Sequence, residues 1–272
     1  MGSQKAGEIR FLMQAIESFV TAAGGVKPLV GGAVFALLFI GERLAAAAPR
    51  PKTKHRMIHN LGLWGIVLVL SPLIIAPLTA FGANHLLWER PETLRFGALI
   101  LIADIILLDL WTYWMHRAWH RVPLMWRFHQ IHHFDEFLDT TSAFRFHIGE
   151  VMISALLRLI PIALLAIPFT HVIAFETVFI CTVMFHHSNL RLPAGFERTL
   201  SRIMVTPSIH WVHHHAVMKD THSNYASILS LWDPLFASRS SASRTPEMKI
   251  GLESIEDKPL LRLILTPFMR RG

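Results

Sequence analysis

The chain has 272 residues, of which 52% are hydrophobic and 17% are charged, and its formal net charge is +7. This composition is too apolar for an ordinary soluble domain and indicates a protein that crosses a membrane several times. The single cysteine, Cys181, excludes an intrachain disulfide framework and any metal site built from cysteine, so metal ligands must be nitrogen or oxygen atoms.

Apolar runs predict the membrane-crossing helices in chain order. Three of these runs are each long enough to cross a bilayer, and they cover Leu29–Ala48, Ile58–Phe81 and Phe96–Trp114. The third run continues without a helix breaker into the first histidines. A fourth run, Val151–Phe185, contains Pro161 and Pro168, which predict two tilted helices that form a hairpin.

The basic residues predict the orientation of these helices. Lysine and arginine are concentrated after the first run, after the third run and from residue 186 onwards, whereas residues 82–94 contain only Arg90. Because basic loops stay on the cytoplasmic side, this pattern accounts for the net charge without a nucleic-acid partner. The sequence therefore predicts one all-α membrane domain over residues 1–272. Its parts are the first three spans in residues 1–115, a membrane hairpin in residues 151–185, and a cytoplasmic histidine-rich helical cap in residues 116–150 and 186–272.

Two histidine pentads stand out among the 17 histidines of the chain. They are His129-Gln130-Ile131-His132-His133 and His210-Trp211-Val212-His213-His214. Positions i, i+3 and i+4 share one face of a helix, so each pentad presents three imidazoles on one stripe. Neutral imidazole is a good ligand for transition metals near pH 7. One ion cannot easily use a stripe of three, whereas two neighbouring ions can share it, so the paired stripes predict a two-metal centre.

Further histidines flank the pentads. His116 and His120 are one turn apart on a helix that leaves the membrane, and Asp109 lies on the same face two turns earlier. Asp109 is expected either to orient an imidazole or to cap a polar pocket. His147 and His187, which lie between the pentads, are expected to add two ligands. The other histidines lack such a pattern or adjoin stronger candidates and are expected to be structural; they are His55, His59, His85, His171, His186, His215 and His222.

Several common catalytic patterns are absent from the sequence. It has no H-E-x-x-H motif, no G-x-S-x-G motif and no phosphate-binding G-x-x-x-x-G-K-[ST] loop. Nine or ten imidazoles exceed the needs of a zinc site, and an imidazole-rich site that faces a membrane suits iron that binds O₂ and attacks a C–H bond. The alternative is a non-catalytic membrane metal-binding or metal-transport protein. A transporter is expected to carry ionisable residues near the middle of its spans, whereas these histidines cluster at one end.

The order of the motifs resembles the fatty acid hydroxylase / sterol desaturase superfamily of membrane di-iron oxygenases. The motifs are His116-x-x-x-His120, the two pentads, Phe185-His186-His187-Ser188-Asn189, Thr206-Pro207, Asn224-Tyr225 and Leu231-Trp232-Asp233-Pro234-Leu235-Phe236. The resemblance extends from about Asp109 to Phe236. The chain departs from the family at Ala226, where glycine is usual, and at Ala237-Ser238, where Gly-Thr is common.

The resemblance implies a pair of iron ions that use O₂ and two external electrons to hydroxylate or desaturate a fatty acyl, sterol or other lipid. The implied ligands are His116, His120, His129, His132, His133, His147, His187, His210, His213 and His214. Asp109, Asn224 and Tyr225 are expected to support them from outside the ligand shell. The implied partners are a lipid substrate and a separate electron donor of the ferredoxin or cytochrome b5 type. The expected location is a bacterial inner membrane, with the histidines on its cytoplasmic side.

Overall fold

The computed structural model describes residues 25–52, 55–84, 86–94, 97–253 and 255–269. The long helices are α1 (Val26–Leu44), α2 (His55–Asn84), α3 (Ala98–Arg121), α4 (Pro123–His133), α5 (Ile148–Leu165) and α6 (Phe169–His187). The short helices are α7 (Ala194–Leu200), α8 (Pro207–His213), α9 (Met218–Thr221), α10 (Trp232–Leu235) and α11 (Leu260–Leu265). Short 3-10 turns add Glu92–Leu94, Thr140–Phe144 and Thr266–Phe268. Over these ranges β structure is limited to isolated bridges, and the predicted all-helical fold is confirmed. The predicted structural role of His85 falls outside the described residues.

Four helices are long and apolar enough to cross a membrane. They are His55–Ile75 of α2, and α3, α5 and α6 over their full lengths. The shortest has 18 residues, and at about 1.5 Å of rise per residue it is about 27 Å long, close to the hydrocarbon thickness of a bilayer. Large apolar side chains such as Leu73 and Leu99 are 71% and 81% exposed on the outside of this bundle, as a lipid-facing surface requires. These helices indicate a membrane protein.

Helix α1 covers most of the first predicted span but is not one of these four helices. It carries Lys27, Glu42 and Arg43 in 19 residues. It packs beside α6, where the Lys27 ammonium lies 2.5 Å from a Glu176 carboxylate oxygen. At its other end the buried Glu42 carboxylate accepts a backbone N–H from Asn189, 3.0 Å away. The helix therefore connects the stem to the histidine-rich end of the molecule.

The region 151–185 contains two helices joined by a short turn. Pro161 lies inside α5, and the helix ends at Ala166, which has the left-handed φ of 46°. Pro168 then takes the N-cap position of α6. Together with α3 these helices bury Leu108, Phe175 and their neighbours in an apolar core of the stem.

The two pentads lie on α4 and α8, which pack at the ends of the stem helices. Each of these helices begins with a proline in its first turn, where the missing N–H costs no hydrogen bond and the fixed φ suits the helix. His132 and His133 lie in the last turn of α4, and His129 lies just before it. In the second pentad, His210 and His213 lie within α8, and His214 follows as its C-cap.

A buried ionic network holds the segment after α4 against α2. The Asp135 carboxylate accepts from the guanidinium of Arg56, with one contact at 2.9 Å, and from the side-chain amide of Asn60 at 3.0 Å. The Arg145 guanidinium donates to the Ile131 carbonyl at 2.8 Å and to the Asn60 amide oxygen at 3.0 Å. This network fixes the backbone of the first pentad relative to a stem helix.

Candidate metal centre

Nine of the ten sequence-predicted ligands converge in three overlapping groups. In each group one nitrogen from every imidazole lies within 4.8 Å of the others. The groups are His116, His120, His129 and His213; His132, His187, His210 and His214; and His133, His213 and His214. His213 and His214 belong to two groups each, so the third group joins the first two. This arrangement offers two neighbouring positions for cations, with His133 between them.

In the first group, three imidazoles are oriented through their Nδ1 atoms. The His116 Nδ1 lies 2.8 Å from the Tyr225 carbonyl oxygen, and the His213 Nδ1 lies 2.6 Å from the Ser223 carbonyl oxygen. The His129 Nδ1 lies 2.7 Å from a carboxylate oxygen of Glu150. Because these oxygens can only accept, each Nδ1 carries the proton, and each Nε2 is left with a lone pair directed into the group.

The second group places several Nε2 atoms against one another. The Nδ1 of His132 donates to the Arg145 carbonyl at 3.2 Å, and the Nδ1 of His187 donates to the Val183 carbonyl at 2.7 Å. Their Nε2 atoms therefore hold lone pairs, yet these atoms lie only 3.0 Å apart. Two lone pairs at this distance repel each other unless both bind the same cation. This geometry fits a metal ion and does not fit a network of neutral imidazoles alone.

The imidazoles of the cap are held in the form that binds metal. Burial, reinforced by neighbouring histidines, holds the pKa of His132, His133 and His214 well below the usual range of histidine. These rings are therefore neutral at pH 7. Both ring nitrogens of His133 and the Nε2 of His213 are buried without a hydrogen-bond partner among the described residues. Such unpaired buried nitrogens are costly, and coordination to a metal would satisfy them.

His147 lies apart from the three groups. It is the N-cap of α5, where its Nδ1 accepts the backbone N–H of Gly149 at 2.9 Å. Its Nε2 lies 3.1 Å from the carbonyl oxygen of Ile264 and donates to it. Both nitrogens are thus occupied by backbone groups, and His147 connects α5 to α11.

Asp109 makes no hydrogen bond to an imidazole among the described residues. Its buried carboxylate accepts the backbone N–H groups of Ile228 and Leu229 at 3.1 and 2.9 Å, and the indole N–H of Trp232 at 2.8 Å. Of the two roles predicted for Asp109, this geometry matches the one in which the residue caps a polar pocket. Asp109 thus holds the loop after Tyr225 against α3. The backbone carbonyl of Tyr225 in turn orients His116.

Asn224 and Tyr225 support the site through their backbone and side chains. Asn224 adopts a left-handed φ of 51°, and its side-chain amide donates to the Ile209 carbonyl at 3.2 Å. Ala237 also has a φ of 51°, in the region that favours glycine, at a position where the family commonly has glycine. An alanine therefore holds a backbone conformation that glycine adopts more readily.

Sequence reasoning missed two residues beside the site. Glu150 holds His129, and the His222 Nδ1 lies 3.3 Å from the His120 Nδ1. Glu150 is 21 residues from His129 on another helix, so no local periodicity connects them. His222 belongs to no repeated motif. His186, which was expected to be structural, packs against His210 with tilted rings at a ring-centroid distance of 4.0 Å, and it belongs to none of the three groups.

Fold and site together define a class of protein: a helical membrane protein with a buried centre built from histidine. The sequence profile of the fatty acid hydroxylase family matches residues 101–238, just over half of the chain. The chain belongs to this family.

Several curated relatives are lipid-oxidising enzymes by name. The chain is 27% identical over 175 residues to ornithine lipid hydroxylase OlsE of Rhizobium tropici. This alignment covers 64% of this chain and 52% of the relative. It is 34% identical over 130 residues to an alkylglycerol monooxygenase of Danio rerio, covering 47% of this chain and 28% of the relative. A fatty acid hydroxylase, vlmA of Lecanicillium sp, is 29% identical over 165 residues, with 53% of this chain and 43% of the relative covered. The matches thus span about half or less of the length of these relatives. No solved structure matches the chain.

Proposed function

We propose that the chain is a lipid-modifying oxygenase that uses O₂ at a pair of iron ions held by the nine converging histidines. The observation that carries the proposal is the convergence of nine imidazole nitrogens in groups joined through His213 and His214. Membership of the fatty acid hydroxylase family and the names of the relatives support the reaction class. In hydroxylation, one O₂, two electrons and two protons convert a C–H bond into C–OH and release one water.

The nine histidines would hold the metal, and His147 would act as a helix cap. An iron pair bound there would supply activation of O₂, which side chains alone do not provide. The chain itself contributes neutral donors at fixed positions, because carbonyl groups and Glu150 set the tautomers of several ligands. Burial of the cluster would keep bulk water away from the oxidation.

The proposed substrate is a lipid with an acyl, alkyl or sterol-like apolar part. A substrate that stays in the bilayer can reach a centre located where the stem helices end, since His116, His120 and His187 lie at the ends of α3 and α6. Fixing one C–H bond beside the metal pair would remove much of the entropic barrier to reaction. Hydroxylation is favoured over desaturation because the named relatives are hydroxylases and monooxygenases.

The proposed location is the bacterial inner membrane with the histidine cluster facing the cytoplasm. The basic segments that follow α1, α3 and α6 lie at the same end as the histidines, which supports this orientation under the positive-inside rule. A soluble donor of the ferredoxin or cytochrome b5 type on that side would supply the two electrons.

Metal transport is less well supported. Four ionisable residues of the later stem helices, Asp104, Asp109, Arg158 and Glu176, already have partners. Asp104 binds Arg90 and His171, Arg158 binds Glu176, and Asp109 binds backbone N–H groups. A transport path would need ionisable groups that are free to bind a passing ion. Reductant-dependent and lipid-dependent consumption of O₂ would distinguish the enzyme from a transporter.

The test compares three forms of the protein produced in iron-supplied bacteria: wild type, His213→Ala and His147→Ala. Mass spectrometry of lipid extracts would detect a lipid that gains one oxygen or loses two hydrogens, and elemental analysis would measure iron per chain. Wild type is expected to bind iron and to modify a lipid. His213→Ala should lose both properties, because His213 belongs to two of the three groups. His147→Ala should keep its iron and lose about 1 kcal/mol of stability through the missing cap. Full iron content and product in His213→Ala would contradict the proposal.

A further inference from the structure

Arg244 is a partly buried cation with no carboxylate in salt-bridge contact among the described residues. Its guanidinium stacks 3.9 Å from the centre of the Trp211 ring. Its hydrogen bonds, to the Leu190 carbonyl and the Asn189 side-chain oxygen, are both 3.4 Å long. Burial lowers the pKa of Arg244 to about 10, and Glu197 is the carboxylate that acts against this shift from a distance. The positive charge of Arg244 is therefore only weakly compensated within the chain.

Two further arginines lie around the same asparagine. Asn189 pairs with both backbone polar groups of Ala48, at 2.9 Å each, and Arg50 follows two residues later. The Arg50 guanidinium donates one N–H group to Glu42 at 2.7 Å, while its Nε is buried without a hydrogen-bond partner in the part of the chain that the structure describes. Arg191 is exposed, and its backbone N–H binds the Ala45 carbonyl at 2.8 Å. Arg50, Arg191 and Arg244 together form what we name the arginine cluster.

The arginine cluster is attached to two segments of the chain that carry proposed metal ligands. Trp211, on which Arg244 stacks, directly precedes Val212 and follows His210 on α8, and its indole is 1% exposed. Asn189 lies two residues beyond His187. His187 and His210 are members of the same group, with Nε2 atoms 3.0 Å apart. Arg244 therefore contacts the residue that follows His210 and the asparagine that lies two residues beyond His187.

We propose that the arginine cluster is the docking site of an acidic one-electron donor protein of the iron–sulfur class. This inference rests on the proposed function, which requires two electrons from outside the chain. Carboxylates on the donor would pair with Arg191 and Arg244. This pairing would bring the iron–sulfur cluster of the donor towards the segment that carries Trp211 and His210. Two molecules of reduced donor, docking in succession, each lose one electron; with one O₂ and two protons these electrons complete one hydroxylation and release one water.

Charge at this position would act mainly on the rate of encounter. Clustered cations attract an acidic partner over about a Debye length, and this steering changes association rates by about tenfold to a thousandfold at low salt. Close approach matters as well, because electron transfer slows steeply with distance. An anionic lipid head group offers the same chemistry to these arginines. The protein donor is favoured because Arg244 stacks on Trp211, the residue next to His210 in the chain, where contact with a lipid would serve no step of the reaction.

The test measures electron transfer from a reduced plant-type ferredoxin, an acidic protein, to the oxidised, iron-loaded chain in neutral-lipid nanodiscs. Stopped-flow absorbance would follow ferredoxin oxidation at low and high salt. Arg191→Glu and Arg244→Gln are expected to slow the second-order rate by about tenfold at low salt, and high salt should slow wild type towards the variants. Arg262→Glu is the matched control, because Arg262 is exposed on α11 and lies outside the arginine cluster; its rate should stay within about twofold of wild type.

A small chemical reductant separates this inference from the proposed function. Wild type and all three variants should be reduced by dithionite at equal rates and should carry equal iron. Equal ferredoxin rates in wild type and Arg191→Glu, or an equal loss in Arg262→Glu, would overturn the docking site. The same holds if ferredoxin fails to reduce wild type while dithionite succeeds. If Arg191→Glu loses activity only in anionic bilayers, the arginine cluster contacts lipid instead. Failure of dithionite-reduced wild type to oxidise any lipid would count against the proposed function alone.

Discussion

Glu150 contacts a proposed metal ligand from outside the ligand set. One of its carboxylate oxygens lies 2.7 Å from the Nδ1 of His129, and the other is buried without a partner. It lies in the first turn of α5, where the helix dipole favours a negative charge. A carboxylate in this position fixes the ring and raises the basicity of the ligating nitrogen.

Replacement of Glu150 by alanine is expected to lower metal affinity by about tenfold to a hundredfold, the usual effect of removing a group that orients a ligand. Glu150→Gln, which keeps an acceptor for the His129 N–H, should recover most of this loss. Competition with a chelator of known affinity would measure the change.

The control for this prediction is Glu253→Ala, because Glu253 is exposed and makes no contact with the imidazoles. Equal affinities for Glu150→Ala and Glu253→Ala would show that Glu150 has no such role.

At the same scale, sequence reasoning could identify ligands but not their supports. The pentads place imidazoles at i, i+3 and i+4, and the helix makes them neighbours wherever it lies. Glu150, the Tyr225 carbonyl and the Ser223 carbonyl reach the imidazoles only through tertiary packing. The expected ligand His147 illustrates the same limit, since its sequence position between the pentads does not reveal that its nitrogens bind Gly149 and Ile264.

Helices α4 and α5 approach each other closely at Gly149. A Cβ atom built on this residue would lie 2.7 Å from a ring carbon of Phe128 and 3.0 Å from the His147 Nδ1. The glycine thus permits contact between the helix that carries the first pentad and the helix that carries Glu150.

Gly149→Ala is expected to destabilise the protein by about 1–3 kcal/mol, because an overpacked contact must move the Phe128 ring or the cap. Thermal unfolding in detergent would measure this loss. Gly195→Ala is a suitable comparison, since a Cβ there meets no atom within 4 Å. Unchanged stability of Gly149→Ala would mean that the two helices can separate freely.

Element boundaries followed from the sequence where apolar runs and breakers coincide. The run that continues through Trp114 into the first histidines corresponds to the single helix α3, which ends at Arg121. The charged residues of α1 did not predict which elements this helix contacts. Lys27 and Glu42 find partners on α6, on the turn at Thr140 and at Asn189, and no pattern within α1 indicates those partners.

At the scale of the whole molecule, the buried imidazoles make stability depend on pH. His132, His133, His210, His213 and His214 have pKa values held well below the usual range, so the folded protein binds fewer protons than the unfolded chain. Stability then rises with pH, and it is lost as the pH falls below the unfolded pKa.

The metal-free protein is therefore expected to lose stability below about pH 6.5, with up to about 1.4 kcal/mol per pH unit from each imidazole. Melting temperatures measured between about pH 8 and about pH 5.5 would show the decline. The carboxylates of Asp139 and Asp257, whose pKa values are lowered, also reduce stability as the pH falls, but only near about pH 4. A melting temperature that stays constant across this range would contradict the burial of the imidazoles in the metal-free form.

The global architecture was predictable because its determinants are long and repetitive. Apolar runs of membrane-spanning length predict the stem, and the clustering of histidines at one end predicts a polar cap. The ionic network of Arg56, Asp135 and Arg145 was not predictable, since it joins residues from three separate segments.

The hydrogen bonds that orient the ligands have a consequence for metal selection. Carbonyls from Arg145, Val183, Ser223 and Tyr225 hold four rings in place before any ion arrives. A cage preassembled from nitrogen donors binds divalent ions in the Irving–Williams order, in which copper and zinc exceed ferrous iron. The metal found after purification would then report the composition of the growth medium, and zinc-filled preparations would be inert although fully folded.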